Sequence, residues 1–145
     1  MNMSYIEENT NGRERLQRLV GKLSDEELRL AAGDGWTNAA ILAHLAFWDY
    51  RALVLIERWK KTGVGSSPID ADGVNDAMKA LCLAIPAREA ANLAVKAAEA
   101  VDAELENLPE ELRAEIDILV QEGKFRTNRS IHRNAHVDQI EERLV

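Results

Sequence analysis

The sequence predicts an all-α protein, and two observations carry that expectation. Ala, Leu and Glu dominate a chain in which apolar residues make up 46%, charged residues 30% and aromatics only 5%, a balance that favours helices over sheets. Apolar residues also recur at helical spacing between recognisable start and stop signals. With 145 residues, the chain has the size of one domain, residues 1–145, and folding at that length buries about 68–70% of the unfolded surface.

The elements follow in order. A first helix is expected from about Ser4 to Leu23, with Leu16, Leu19, Val20 and Leu23 at helical spacing and an irregularity around Asn11-Gly12. Ser24-Asp-Glu-Glu27 has the capping-box pattern and opens a short helical piece that ends before Gly33-Asp-Gly35. Thr37 caps a long helix from Asn38 to about Lys61, ended by Gly63, whose stripe is Ile41, His44, Leu45, Trp48, Ala52, Leu55 and Trp59. From Gly63 to Asp72 two Gly, one Pro and two Asp predict a loop long enough to carry a crossover. Helical patterns then cover about Val74 to Ile85, Pro86 to Leu108 with Pro86 in the first turn, and Glu110 to Glu122, where Gly123 stops the pattern. The last helix runs from about Asn128 to Leu144, capped by Thr127 or Asn128, with an inward stripe of His132, His136, Val137, Ile140 and Leu144.

Charge narrows the function classes. The formal net charge is -7, and no basic stripe interleaved with aromatics occurs, so nucleic acid is not an expected partner. No apolar run approaches the roughly 18 to 20 residues of a membrane span, and the opening Met-Asn-Met-Ser-Tyr-Ile-Glu-Glu is not a signal peptide. A soluble, cytoplasmic protein is the expectation. The acidic stretch Glu104 to Glu115 reads as a solvated surface. The single cysteine, Cys82, lies in the apolar run Ala80 to Ile85 and reads as a buried structural thiol, because no basic residue or histidine beside it lowers its pKa.

The chain has three histidines, and their placement is its sharpest chemical signal. His132 and His136 are four apart, so on a helix they share one face roughly 5 to 6 Å apart and reach one ion together. His44 lies 88 residues upstream of His132, on the inward stripe of the other long helix. Facing helices of a bundle are where metal sites are built, and three imidazoles leave an open position on a metal, as in reactive zinc sites. The competing reading for each ring is a core histidine satisfied by a carbonyl or carboxylate. The pair is not the zinc-protease motif, because Arg133, Asn134 and Ala135 separate the histidines and no Glu follows the first. Gln139 lies three after His136, and Asn128 four before His132, so both can line the same wall or orient the ligands. Phe47, Trp48 and Arg51 follow His44 by three, four and seven positions and complete the candidate substrate-binding set, against the plainer readings of core aromatics and a surface cation.

Gly35-Trp-Thr-Asn-Ala-Ala-Ile-Leu-Ala-His-Leu-Ala-Phe-Trp-Asp49 resembles the second-helix signature of DinB-like proteins, and Arg129-Ser-Ile-His-Arg-Asn-Ala-His-Val-Asp-Gln-Ile-Glu141 resembles their final helix. Together the two segments cover under a third of the chain, but their order and separation match over its length; Val74-Asn75 and Leu108-Pro109 fit less specifically. The resemblance implies a four-helix bundle with up-down-down-up connectivity and a long crossover between its second and third helices. It also implies a divalent metal on His44, His132 and His136, and homodimer formation. Family activities include thiol-dependent S-transferases and the related maleylpyruvate isomerases, whereas other members protect against reactive natural products.

Two departures bear on the reaction. Nine residues follow His136, so the additional C-terminal domain of the maleylpyruvate isomerases is not expected, and Ala135 stands where a number of relatives carry an acid. Three imidazoles and water suit zinc, nickel, iron or copper, with zinc or nickel the leading candidates. The expected function is a metal-dependent S-transferase that joins an exogenous low-molecular-weight thiol to a small electrophile through a metal-bound thiolate, with no catalytic residue assigned and Gln139, Asn128 or Arg51 orienting the bound groups. The alternatives are a related metal-dependent hydrolase, a non-catalytic small-molecule binding or sequestration module on the same pocket, or a structural bundle without metal.

Overall fold

Caps and stops largely set the elements of the computed structural model, which describes residues 4–144. They are α1 (Ser4–Lys22), α2 (Asp25–Leu28), β1 (Ala31–Gly33), β2 (Trp36–Thr37), α3 (Asn38–Thr62), α4 (Ala71–Ala84), α5 (Ala87–Glu106), α6 (Glu110–Gln121) and α7 (Ser130–Leu144). The opening residues 1–3, on which part of the reading of the N-terminus rests, lie outside the described residues. Ser24 closes the capping box with Glu27, its Oγ accepting from the Glu27 amide at 3.0 Å while Glu27 accepts from the Ser24 amide at 2.9 Å. Thr37 Oγ1 accepts from the Ala40 amide at 3.0 Å and starts α3. Gly63 ends α3 at φ 86°, a conformation that favours glycine.

The mostly helical fold matches the expectation, with four local differences. Residues 31–37 form a two-stranded antiparallel hairpin. Its turn, Gly33-Asp34-Gly35, has φ of 99°, 54° and 81°, which two glycines and an aspartate accept at little cost. Strands of three and two residues are too short to show a period-2 pattern. The second difference is at Gly12, where α1 runs unbroken. A Cβ there would meet the Ser130 Cβ at 3.0 Å and Cα at 3.2 Å, so the glycine permits a close approach of α1 to α7 rather than a break. Third, α4 begins at Ala71, three residues earlier than Val74, because Asp70 caps it by accepting from the Gly73 amide at 3.1 Å. Fourth, α7 begins at Ser130, after Asn128 Oδ1 accepts from the Ser130 amide at 3.0 Å.

α3 packs chiefly on α5, α1 on α7 and α5, and α4 on α3. The apolar core divides into two sets. One holds Leu16, Leu19 and Val20 of α1 with Leu23 just after it, Ile41, Leu42 and Leu45 of α3, the small residues Ala90, Ala91, Ala94 and Ala98 of α5, and Val137 and Ile140 of α7. The other holds Tyr5, Leu55, Ile56, Trp59, Val101, Leu105, Ile116 and Phe125. Fully buried Val137 and Ile140 each contribute about 1.5–3 kcal/mol relative to exposure. α3 is long and apolar enough to cross a membrane, with a mean hydropathy of 1.5 over its most apolar window, which corrects the expectation that no such segment exists; 67% of that window is buried within the fold, where α3 packs chiefly on α5 and α4.

A charged layer separates the two apolar sets. Arg133 of α7 is fully buried, with Asp49 of α3 at 3% and Asp102 of α5 at 2% exposure. Arg133 donates from Nη1 and Nη2 to the two oxygens of Asp102 at 2.9 and 2.8 Å, and from Nε and Nη2 to Asp49 Oδ2 at 3.2 and 3.1 Å. Its Nη1 also reaches the Asn9 carbonyl of α1 at 3.2 Å. Arg129 Nε donates to Asp49 Oδ1 at 2.9 Å, and Arg13 Nη1 to Asp102 Oδ2 at 2.7 Å. Burial alone would lower the Arg133 pKa, but the two carboxylates outweigh it and raise it. Asn9 adds a cap from a neighbouring helix, its Oδ1 accepting from the Arg129 and Ser130 amides at 2.7 and 3.1 Å. The layer thus ties α1, α3, α5 and α7 at one level. Replacing Arg133 with Met leaves two buried carboxylates short of donors and is expected to cost about 3–5 kcal/mol of stability, read from urea unfolding. A loss below about 1 kcal/mol would show that Arg13 and Arg129 suffice.

Candidate metal centre

His44 is the seventh residue of α3 and is buried at 8% exposure. His132 and His136 stand one turn apart on α7 and are half-buried. The ladder from Arg133 to Asp49 and Asp102 holds α7 in one rotation, and the two imidazoles then face His44. His132 Nε2 lies 3.1 Å from His44 Nε2 and 3.2 Å from His136 Nε2. One ligand atom from each ring lies within 4.8 Å of the others. Nitrogens sharing a tetrahedral ion at about 2.0–2.1 Å stand about 3.3 Å apart; the two pairs through His132 have that spacing, and the three donors together could hold a divalent ion.

The proton on His136 is fixed by its neighbours. Gln139 Nε2 donates to the Ala32 carbonyl of β1 at 3.3 Å, which turns its Oε1 towards His136 Nδ1 at 2.9 Å. An amide oxygen only accepts, so Nδ1 carries the hydrogen and Nε2 keeps its lone pair for a ligand. The hairpin also supplies Trp36, whose ring meets His44 edge-on at 5.8 Å between centroids. His44 Nδ1 is buried without a hydrogen-bond partner, so ring packing and α3 hold this imidazole.

Burial keeps all three rings neutral. Desolvation, with His136 nearby, lowers His44 from 6.5 to about 4. Desolvation, followed by His136, His44, Arg129 and Arg126, lowers His132 to about 3. Desolvation also lowers His136, opposed by its bond to Gln139. Neutral imidazole is the form that binds metal. Cys82 takes no part, being buried with its thiol pKa pushed up by desolvation.

Two cavities meet at this centre. One, of about 660 Å³, is lined by Trp36, His44, His132, His136 and Gln139, together with Asp34, Asp72, Asn75 and Asp76. The other, of about 420 Å³, lies beyond His44 and His132 and is lined by Trp48, Arg51, Asn128, Arg129 and the 123–126 turn. Gln139 therefore belongs to the first cavity, and Trp48, Arg51 and Asn128 to the second. Phe47 lines neither; it is exposed at 39% and packs edge-on against Trp48. Ala135 is exposed on α7. Sequence reasoning passed over Trp36 and Asn75 as site residues, although both lie in quoted segments; Trp48 Nε1 donates to Asn75 Oδ1 at 2.9 Å, a contact between α3 and α4 with no local signal.

A family model described as the DinB superfamily matches residues 8–131. The match includes His44 and stops one residue before His132, so the other two imidazoles enter the centre through the geometry of this chain. No curated protein and no solved structure matches.

Replacing Gln139 with Ala frees the His136 ring and is expected to weaken divalent-metal affinity about 10–100-fold, measured by competition with a chromophoric chelator; unchanged affinity would remove Gln139 from the centre. The folded pKa of each imidazole lies below its ordinary value, so below about pH 6.5 the unfolded chain takes up protons that the folded protein refuses. The metal-free protein is therefore expected to lose stability as pH falls from about 6.5 to 4, with a shallower fall in the His132→Asn variant. Identical urea midpoints in the two proteins across that range would contradict burial of neutral His132.

Proposed function

The chain belongs to the DinB superfamily, and from that membership and the converging imidazoles we propose that it is a divalent-metal-dependent S-transferase joining a low-molecular-weight thiol to a small electrophile. The observation that carries this reading is the approach of three neutral Nε2 atoms at the junction of two cavities, which leaves room for a reactant on each side. His44, His132 and His136 hold the metal, with zinc or nickel the favoured ions. A divalent ion on three uncharged ligands keeps its full charge and lowers the pKa of a thiol or water that reaches it.

The side chains do the rest. Gln139 retains the His136 Nδ1 proton and keeps that ring aimed at the centre. Trp36 covers one side of His44, and Trp48 and Asn75 tie α3 to α4 where the cavities meet. A new carbon–sulfur bond forms as the leaving group departs, and the thiol proton passes to solvent through the larger cavity. A cytoplasmic location would supply the thiol. The same reading places α1, α3, α5 and α7 as the members of a four-helix bundle with up-down-down-up connectivity, the 63–70 connector and α4 forming the crossover.

Protein purified without a histidine tag and loaded with zinc or nickel is expected to consume one or more thiols from a low-molecular-weight panel in the presence of an alkylating electrophile, and the His44→Ala variant is expected to lose that turnover. If no thiol is consumed although the metal is bound, the transferase reading falls and a binding module takes its place.

A further inference from the structure

The smaller cavity differs from the larger one in charge, and the difference is large for a protein whose net charge is -7. Arg51, Lys124, Arg126 and Arg129 line the smaller cavity, with no acidic residue among its lining. The larger one carries Asp34, Asp72 and Asp76 and no basic residue. The boundary is His44, Asn75 and His132, which line both.

Two of the four cations are already neutralised. Arg129 is paired with Asp49 at 2.9 Å and Lys124 with Glu122 at 3.3 Å. Among the described residues, Arg51 and Arg126 have no ion-pair partner. Arg51 is nevertheless held in place, because Nη2 donates to the Ser67 carbonyl at 2.8 Å and the guanidinium lies 5.9 Å from the Trp48 ring centroid. Burial, and then the nearby charge of Arg129, lower its pKa, as expected of a cation without a counter-ion. A half-buried guanidinium with a fixed plane is suited to a carboxylate, which it grips with two parallel hydrogen bonds.

We propose that the smaller cavity is an anion subsite in which Arg51 and Arg126 bind the carboxylate of a reactant whose reacting atom lies at the three imidazoles. The opposite charge of the larger cavity makes the orientation one-way, since a carboxylate there would face three aspartates. The inference rests on the transferase reading only for what happens at the reacting atom; the subsite itself rests on Arg51 and Arg126.

Three primary alkyl thiols of different charge separate the outcomes: 3-mercaptopropionate, 2-mercaptoethanol and cysteamine, titrated at fixed pH and ionic strength into protein loaded with cobalt(II), followed by the thiolate charge-transfer band and compared as thiolate affinities corrected for each thiol's own pKa. 3-Mercaptopropionate is expected to bind about tenfold tighter than 2-mercaptoethanol, with cysteamine weakest, and the Arg51→Met/Arg126→Met protein is expected to bring the first two within about twofold. Equal affinities in the unmodified protein, or a preference unchanged in the double variant, would overturn the subsite. Arg126→Gln alone, at an exposed position, serves if the double variant does not fold, and is expected to reduce the preference about threefold or more; an unchanged ratio counts against the proposal. If no thiol binds the cobalt protein, the transferase reading fails, and malonate titrated into metal-free protein with tryptophan fluorescence decides the subsite alone. Saturable binding that is lost on substitution supports it, and its absence overturns it.

Discussion

A single buried guanidinium determines where most of this molecule can be. Arg133 is fully enclosed, and an enclosed cation persists only where its donors meet acceptors in good geometry. The acceptors come from three other helices: Asp49 from α3, Asp102 from α5 and the Asn9 carbonyl from α1. A planar fork that must satisfy all three leaves α7 one height and one rotation. Ion pairs of this kind are weak sources of net stability, because desolvation offsets their attraction. What their geometry dictates is register, and the apolar sets on either side of the layer then pack in only one way.

The histidine centre follows from that register. Successive residues on a helix are turned by about 100°, so fixing Arg133 inward between α3 and α5 fixes where His132 and His136 emerge on the same helix. His44 meets them from α3, five residues before Asp49 on the same rigid element. The hairpin completes the arrangement from outside the helices, with the Ala32 carbonyl orienting Gln139 and Trp36 packing on His44. Rings that stay neutral by burial, with Nε2 atoms at 3.1 and 3.2 Å, repel one another through their lone pairs unless a proton or a cation lies among them. A hydrogen carried by His132 Nε2 relieves that repulsion within neutral rings, and so does one shared ion, which the three donor atoms could hold.

Much of this was legible in the sequence, and the part that was not has a physical cause. Caps such as Ser24, Thr37 and Gly63 act within a turn of the chain, so they are readable locally. The i, i+4 spacing of His132 and His136 and the inward stripe holding His44 are also local, and the structure brings all three together. Arg133 escaped notice because its meaning lies in residues 84 and 31 positions away; read alone, it is one more charge on an amphipathic helix. Asp49 and Asp102 escaped for the same reason. Gly12 reads as a helix irregularity when it is a contact with Ser130 across 118 residues. The hairpin was missed because its strands are shorter than any periodic signal, although its Gly-Asp-Gly turn was visible.

The buried charged layer and the packed helices around it carry three convergent imidazoles with a cavity on each side, and the charge of the two sides differs. The family match covers the helix of His44 but not the two histidines of α7, so the centre stands or falls on the convergence of the three rings. The most direct measurement is anomalous X-ray scattering at the metal edge from crystals of untagged protein. One ion about 2.0–2.1 Å from the Nε2 atoms of His44, His132 and His136 is expected. Crystals grown with zinc or nickel that show no ion among these rings, or an ion bound elsewhere, would contradict the metal centre.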